Sequence, residues 1–247
     1  MIIDAHAHLG IDVVFDEEVG EDELLTVMRE NNVDGAIVQP YIPRPYISDH
    51  QAIHDRIFRL TKNTEKRFWG MASINPHFRP EDYDAEAKRC IEELGFVAIK
   101  ITPIAHACHP SSQSAFHVFE ICRALDVPLM IHTGAGIPFA DPMSCHKALE
   151  AFPDVTVILA HAGTDLFSQS AIFLAKKFER VYLEPSWVGA IGVGNMIRQL
   201  GCGKIMFSSD NTHQMAGEMA KYRNLIHDEQ QLAKVLGGNA KEIFRLK

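Results

Sequence analysis

The sequence lacks three features that are typical of nucleic-acid-binding, membrane or secreted proteins. Its 247 residues contain 24 Lys and Arg against 32 Asp and Glu, a net charge of −8, so no basic excess is available for nucleic acid or anionic lipid. Its apolar runs are too short to cross a membrane. Its N-terminus has no basic start, apolar stretch and cleavage site of a secretory signal. We therefore expect a cytoplasmic protein with no nucleic-acid and no membrane partner.

The cysteines are odd in number and widely spaced. None of the five belongs to a CxxC pair, which argues against a disulfide framework and against a zinc knuckle. We expect reduced thiols at these positions, which are Cys90, Cys108, Cys122, Cys145 and Cys202. The sequence also lacks a G-x-S-x-G motif, so it gives no support to a serine hydrolase.

Short apolar runs alternate with amphipathic helical patterns along the chain. Eight such runs predict parallel strands joined by helices. Eight βα units in about 250 residues predict an α/β fold, a single (β/α)8 TIM barrel over residues 1–247 with two short C-terminal helices. An open doubly wound sheet competes, but its glycine-rich phosphate turn is missing after the first strand. The predicted strands span residues 2–8, 34–39, 68–74, 96–102, 127–131, 155–160, 181–184 and 204–208.

The first predicted strand carries two histidines two residues apart. In MIIDAHAHLG, Asp4, His6 and His8 fall at every second position, so a strand directs all three to one face. Two imidazoles at this spacing can bind one metal ion. In a chain with 13 His, chance alone gives about 0.7 such pairs, so the pair needs support from elsewhere. Asp4 either orients the histidines or caps a loop.

That support comes from four further predicted strands. Lys100 lies within VAIKITP, His132 follows LMI, His161 follows VILA, and Asp210 follows IMFSS. Strand alternation places Phe96, Ala98 and Lys100 on one face of the fourth strand, the inner face of the barrel. Active sites of TIM barrels lie at the C-terminal ends of the strands. Five of the eight strand ends therefore bring a residue that can bind metal or move protons to the same end of the barrel.

These motifs resemble the amidohydrolase superfamily. HxH on the first strand, Lys on the fourth, His on the fifth and sixth, and Asp on the eighth is similar to its metal site. The segments IDAHAHLG, KITP, IHTG, LAHAG and FSSD resemble motifs of its amidohydrolase-related branch. This branch includes aminocarboxymuconate-semialdehyde and resorcylate decarboxylases and lactonases. The resemblance runs from residue 2 to about residue 240 and implies a metal-dependent TIM barrel, but it does not specify a substrate.

The resemblance also implies a role for each residue of the site. The ligands of a divalent ion, expected to be zinc, would be His6, His8, His132 and Asp210. His161 would bind a second ion or polarise the substrate carbonyl. Lys100 would be carboxylated and bridge two ions, or would stand beside a single ion or form a plain salt bridge. Asp210 would also accept a proton and pass it on. One ion and two ions both stay open.

Three functions compete under this interpretation. The first is a metal-dependent hydrolase that uses a metal-bound hydroxide to attack an amide, ester or lactone carbonyl of a small molecule. The alternative is a non-oxidative decarboxylase, a lyase, that acts on a small unsaturated or aromatic carboxylate with the same metal site. The third is a non-catalytic barrel that binds a metal or a ligand. The sequence favours the hydrolase.

Four residues are candidates for substrate binding. Arg44 and Arg79, in the loops after the second and third strands, either hold a substrate carboxylate or are ordinary exposed arginines. His106 follows the fourth strand in the motif HACHP, where it either contacts substrate or lies in a solvated loop. Glu184 at the end of the seventh strand either lines the pocket or supports a ligand. Trp187, just beyond it, is expected to pack rather than to stack on substrate. A homodimer is compatible with this interpretation.

Overall fold

One curled, eight-stranded sheet organises the described residues, which are 1–13, 16–134 and 139–247 of a computed structural model. The order of the strands is β2-β1-β3-β4-β5-β6-β7-β8, and all neighbours are parallel except β2, which is antiparallel to β1. This mostly parallel sheet confirms the predicted α/β class. The strands are β1 (Ile3–Asp12), β2 (Glu17–Val19), β3 (Gly35–Pro40), β4 (Arg67–Ser73), β5 (Ala98–Ile101), β6 (Leu129–His132), β7 (Val157–Ala160) and β8 (Val181–Glu184).

Ten α-helices connect and follow these strands in the described part of the chain. They are α1 (Glu21–Glu30), α2 (Ile47–Leu60), α3 (Pro80–Lys88), α4 (Gln113–Leu125), α5 (His146–Ala151), α6 (Thr164–Lys177), α7 (Ala190–Leu200), α8 (Met215–Leu225), α9 (Glu229–Ala233) and α10 (Asn239–Ile243). The Ser112 side chain accepts the backbone N–H of Ala115 and so caps α4. A π-helix, Arg89–Glu93, extends α3. The predicted alternation of strands and helices is confirmed.

The strands separate two apolar clusters, because successive side chains point to opposite faces of the sheet. Ile99 and Ile101 of β5 belong to the outer cluster, which the helices cover, whereas Ala98 belongs to the inner cluster. Lys100 is buried two residues after Ala98, on the inner face as predicted. The prediction was wrong for Phe96, which precedes β5 and packs in the outer cluster.

Two segments differ from the predicted strands. The acidic segment after His8, expected as a loop, forms a hairpin in which Gly10 of β1 pairs with Val19 of β2. The 204–208 segment, expected as the eighth strand, forms one isolated bridge, between Ile205 and Leu183, rather than a continuous ladder. The amide of Met206 donates to the carbonyl of Leu183 (3.0 Å), and the amide of Ala5 donates to the carbonyl of Phe207 (3.1 Å). This segment therefore contacts both β8 and β1.

No helix among the described residues combines the length and the apolar character that spanning a bilayer requires. The assignment of residues 1–247 to a single domain stays a prediction.

Candidate metal centre

The two histidines of β1 present the same nitrogen to the same point. The Nδ1 of His6 lies 2.7 Å from the Glu184 carboxylate, and the Nδ1 of His8 lies 3.2 Å from the carbonyl oxygen of Pro40. A carboxylate and a carbonyl accept hydrogen bonds, so each Nδ1 carries the proton and each Nε2 keeps a lone pair. The two Nε2 atoms are 3.1 Å apart. Their lone pairs would repel one another unless a cation or a proton lies between them.

Asp210 completes this group from the segment beside β1, where its backbone amide donates to the carbonyl of His6 (2.8 Å). Its Oδ1 lies 3.3 Å from the Nε2 of His6 and 3.3 Å from the Nε2 of His8. Ligand atoms that surround a tetrahedral zinc ion at about 2.0–2.1 Å are separated from one another by about 3.3–3.4 Å. The three donor atoms therefore fit a divalent ion in spacing and in chemistry.

The other three predicted residues lie around this group. The Nζ of Lys100 is 2.8 Å from the Nε2 of His6. The Nε2 of His161 is 3.9 Å from Oδ1 of Asp210, and its Nδ1 is 2.8 Å from the hydroxyl of Ser186. The ring of His132 meets the ring of His161 edge to face, with centroids 4.7 Å apart. All six predicted residues thus come together at one end of the sheet, and their roles as ligands stay predictions.

Burial and neighbouring charges keep the site in the protonation states that a metal requires. Burial, together with the adjacent Lys100, lowers the pKa of His6 well below its usual value, and burial lowers the pKa of His161 to about 3. Burial also lowers the pKa of Lys100 to about 8. At Asp210 burial favours the neutral acid, but the surrounding imidazoles outweigh it and hold the pKa well below the usual range. Neutral imidazoles and an ionised carboxylate bind metals without first losing a proton.

A buried polar shell fixes these side chains from behind. Glu184 accepts hydrogen bonds from His6, from the backbone amide of Ser186 (2.7 Å) and from the hydroxyl of Ser208. With these contacts Glu184 holds His6 in place, and the structure favours its supporting role over contact with substrate. Asp4 accepts the amides of His6 (3.1 Å) and Ser209 (3.0 Å). This contact favours the orienting role of Asp4 over loop capping.

Backbone strain is concentrated at this end of the sheet. His161, Trp187 and Asp210 have φ of 59°, 67° and 62°, in the left-handed region that residues with a Cβ rarely adopt. A Cβ on Gly134, itself at φ 96°, would lie 2.7 Å from the backbone of Gly163, which explains the glycine of IHTG, and Gly163 of LAHAG has a φ of 77°. Strain of this kind persists where the surrounding structure enforces it and is common at functional sites.

The predicted substrate residues fall into different environments. Arg79 is 75 % exposed and is paired with Asp82 (2.9 Å), so its charge is already partly neutralised. Arg44 is exposed in the loop after β3, and its side chain has no ion pair or hydrogen bond within the part of the chain that the structure describes. His106 is buried, and its Nδ1 accepts the amide of Thr102 (3.3 Å). Of the two arginines, Arg44 is the one whose charge stays available.

Three residues of the site were not predicted from the sequence. The indole N–H of Trp187, a residue expected only to pack, donates to Oδ2 of Asp210 (2.7 Å). Tyr41 stacks on His8 with ring centroids 4.5 Å apart, and Nε2 of Gln39 is 3.1 Å from Nε2 of His8. The position of Gln39 and Tyr41 at the end of β3 was the available signal, because neighbouring strand ends share one rim.

The sequence is similar to a known protein family and to individual enzymes. The sequence profile of the amidohydrolase family matches residues 3–246. A 2-keto-4-carboxy-3-hexenedioate hydratase from Sphingobium sp. is 26 % identical over 186 residues, which cover 59 % of this chain and 54 % of the hydratase. A 2-amino-3-carboxymuconate-6-semialdehyde decarboxylase from Dictyostelium discoideum is 31 % identical over 90 residues, 36 % of this chain and 25 % of that protein. The matched region thus spans about half of the hydratase and a quarter of the decarboxylase.

A solved structure shares the whole fold. The 5-carboxyvanillate decarboxylase of Novosphingobium aromaticivorans, solved with manganese and 4-hydroxy-3-methoxy-5-nitrobenzoic acid, superposes with a TM-score of 0.80 at 16 % identity. The superposition covers 100 % of this chain and 96 % of that chain. At this identity the similarity shows the fold alone, and it agrees with a curled, mostly parallel sheet of the TIM-barrel kind.

Proposed function

The chain belongs to the amidohydrolase family, and from this premise we propose that it is a metal-dependent carboxy-lyase that removes carbon dioxide from a small unsaturated or aromatic acid. The similarity to two decarboxylases and a hydratase, which are lyases, carries this proposal over the hydrolase predicted first from the sequence. We also propose that residues 204–208 close the sheet into a (β/α)8 barrel, since they contact both β8 and β1.

In this proposal His6, His8, His132 and Asp210 hold the ion, with His161 beside them. A bound divalent ion supplies Lewis-acid chemistry, which withdraws electrons from an oxygen atom of the substrate. Zinc or manganese would serve, since nitrogen and carboxylate ligands suit both. Lys100, within hydrogen-bond distance of His6, stays a free amine in a one-ion site. A second ion bridged by a carboxylated Lys100 stays a prediction.

Side chains of the protein would transfer the proton that the reaction needs. Non-oxidative decarboxylation breaks the bond between the carboxylate and its carbon, and a proton takes the place of the carbon dioxide that leaves. We assign the transfer of that proton to Asp210 and His161, whose Oδ1 and Nε2 are 3.9 Å apart. Asp210 is ionised and His161 neutral, so they take the proton from water and pass it to the carbon, and the hydroxide that remains combines with the carbon dioxide as bicarbonate. The Nδ1 of His161 is held by Ser186, which leaves its Nε2 on the side of Asp210.

Arg44 is our candidate for binding the substrate carboxylate. Its guanidinium is exposed and unpaired within the described residues, and a planar fork of N–H donors matches a carboxylate. We expect Arg44→Ala to raise KM about tenfold or more, because a hydrogen bond to a charged group contributes about 1.5–3 kcal/mol. Arg79→Ala is the matched control, since Arg79 is already paired with Asp82.

Carbon dioxide release tests the proposal. Metal-loaded protein is incubated with hydroxylated benzoates and unsaturated dicarboxylates, and in parallel with an amide, ester and lactone panel. Release of carbon dioxide that Asp210→Asn abolishes would support the lyase. Turnover confined to the second panel would overturn it in favour of the hydrolase, and metal binding without turnover in either panel would favour a non-catalytic barrel. Zinc as the natural metal, a homodimer and a cytoplasmic location stay predictions.

A further inference from the structure

Trp187 combines three properties that packing alone does not explain. Its indole N–H donates to Oδ2 of Asp210 at 2.7 Å, the residue is 43 % exposed, and its backbone has a φ of 67°. An exposed tryptophan in a strained conformation requires a cause outside the hydrophobic core. Its contact with Asp210 places Trp187 among the residues of the site, and His161 and Asp210 have the same type of backbone strain.

A buried ion pair enforces the strained backbone. Glu218 of α8 is 3 % exposed and accepts the backbone N–H of Trp187 at 2.9 Å. Lys221, one turn further along α8, lies 2.6 Å from the Glu218 carboxylate and donates to the carbonyl of Val188 at 2.6 Å. These two side chains hold the peptide groups on either side of the Trp187–Val188 bond. The indole is thereby fixed over the site.

The hydrogen bond divides the two oxygens of Asp210 between different partners. Oδ1 faces the Nε2 atoms of His6 and His8, each at 3.3 Å, whereas Oδ2 receives the indole N–H. A carboxylate held in this way presents one oxygen to an ion and cannot rotate to offer the other. Partners behind a metal ligand fix its orientation and in this manner raise metal affinity.

We propose that Trp187 is the positioning residue for Asp210 and the wall on which a planar acid lies. The second role, as the wall of the substrate pocket, rests on the proposed function, because it requires a conjugated carboxylate as substrate. The positioning of Asp210 does not require one. The exposed indole can stack on a planar acid, as aromatic rings prefer offset or edge contacts with one another. Tyr41, stacked on His8 and bonded through its hydroxyl to Asn211, borders the site beside Asp210.

Two substitutions separate the two roles. Trp187→Phe keeps an aromatic ring and removes the N–H donor, and Trp187→Gln keeps an N–H donor and removes the ring. Trp69→Phe is the control, because Trp69 is the other tryptophan of the chain and packs in the inner cluster from β4. Thermal unfolding of each variant establishes that it is folded before binding is measured.

The first measurement is the affinity of metal-free protein for Mn²⁺ by calorimetry. We expect Trp187→Phe to bind Mn²⁺ about tenfold or more weakly, in line with other losses behind a ligand. We expect Trp187→Gln to lose much less, and Trp69→Phe to match the wild type. Unchanged affinity in Trp187→Phe would overturn the positioning role whatever reaction the protein catalyses.

The second measurement is the preference of Mn²⁺-loaded protein for benzoate over cyclohexanecarboxylate, which have similar size but differ in planarity. We expect the preference to fall about three- to tenfold in Trp187→Gln and to persist in Trp187→Phe. An unchanged preference in Trp187→Gln would overturn the wall. Binding of neither acid by the wild type would overturn the wall together with the proposed function, and the Mn²⁺ affinities would still decide the positioning role.

Discussion

Two regions of the molecule contain the same buried pair, and their comparison shows which part of the pair matters. At the candidate metal centre the Nδ1 of His6 lies 2.7 Å from Glu184, and between α2 and α3 the Nδ1 of His54 lies 2.7 Å from Glu86. Both pairs are fully buried, and each belongs to a group of three residues with metal-binding side chains. The pairs themselves do not distinguish a site from a structural contact.

The difference lies in the second ring nitrogen. The Nε2 of His54 accepts the backbone amide of Ser73 at 3.1 Å, and Glu86 is also held by the guanidinium of Arg89. Every polar atom of His54 is therefore used by the fold. The Nε2 of His6 faces His8 and Lys100, and Asp210 lies 3.3 Å away. We infer that a buried histidine can serve as a metal ligand when its second ring nitrogen faces other metal-binding side chains. A second nitrogen that accepts a backbone amide is already committed to the fold.

Replacing each histidine with asparagine gives the largest expected contrast. We expect His6→Asn to weaken Mn²⁺ or Zn²⁺ binding more than about 100-fold, since even the loss of a partner behind a ligand costs about 10–100-fold. We expect His54→Asn to leave metal affinity unchanged and to destabilise the fold by about 3 kcal/mol, the lower end for a broken buried pair, because Arg89 still holds Glu86.

Calorimetric titration and denaturant unfolding with and without metal measure these two effects. A ligand that binds the folded state at 100 times its Kd stabilises the protein by about 2.7 kcal/mol, and we expect His54→Asn alone to keep this gain. Metal binding lost equally in both variants would refute the distinction between the two regions.

The sequence predicted the residues of the metal centre, whereas it gave no sign of the pair formed by His54 and Glu86. Periodicity placed His6 and His8 on one face of β1, and strand alternation placed Lys100 on the inner face, because local repeats determine which way a strand side chain points. The resemblance to the amidohydrolase superfamily is confirmed by the family match. These inferences required only short stretches of sequence.

The remaining features depend on contacts between distant segments. His54 and Glu86 come from two helices, and Trp187 meets Asp210 only after the chain returns to the sheet. The hairpin of β1 and β2 was missed because an acidic segment resembles a solvated loop, although its strands pair. Such pairings depend on tertiary structure, which single-sequence periodicity does not describe.

Replacing the carboxylates gives a smaller contrast. We expect Glu184→Gln to reduce metal affinity about 10–100-fold, because an amide orients the Nδ1–H of His6 less firmly than a carboxylate does. We expect Glu86→Gln to preserve metal affinity and to lower stability, since Arg89 loses a buried carboxylate partner. Metal titration of both variants at one pH measures the contrast. A tenfold loss of metal affinity in Glu86→Gln would show that the His54–Glu86 pair acts on the site.

The dependence of stability on pH gives the smallest contrast, and it arises from Glu86 of the His54–Glu86 pair. Burial alone would raise the pKa of Glu86, but hydrogen bonds from His54 and Arg89 outweigh it and lower the pKa to about 2 from a usual value of 4.5. A carboxylate with a lowered pKa in the folded state contributes stability above its unfolded pKa and loses that contribution as the pH falls toward its folded pKa. The contribution is at most about 3 to 4 kcal/mol, since one pKa unit corresponds to about 1.4 kcal/mol.

Urea unfolding of the wild type and of Glu86→Gln between pH 7 and pH 3 measures this contribution. We expect the wild type to be the more stable protein above pH 4.5 and the difference to shrink steadily below it, because the carboxylate takes up a proton in the unfolded chain first. Glu65→Gln is the control, since Glu65 pairs with Arg29 at the exposed surface, where solvent screens the charges. A difference that stays constant down to pH 3 would mean that Glu86 stabilises the fold by its shape rather than by its charge, and the likeness between the two pairs would then be geometric alone.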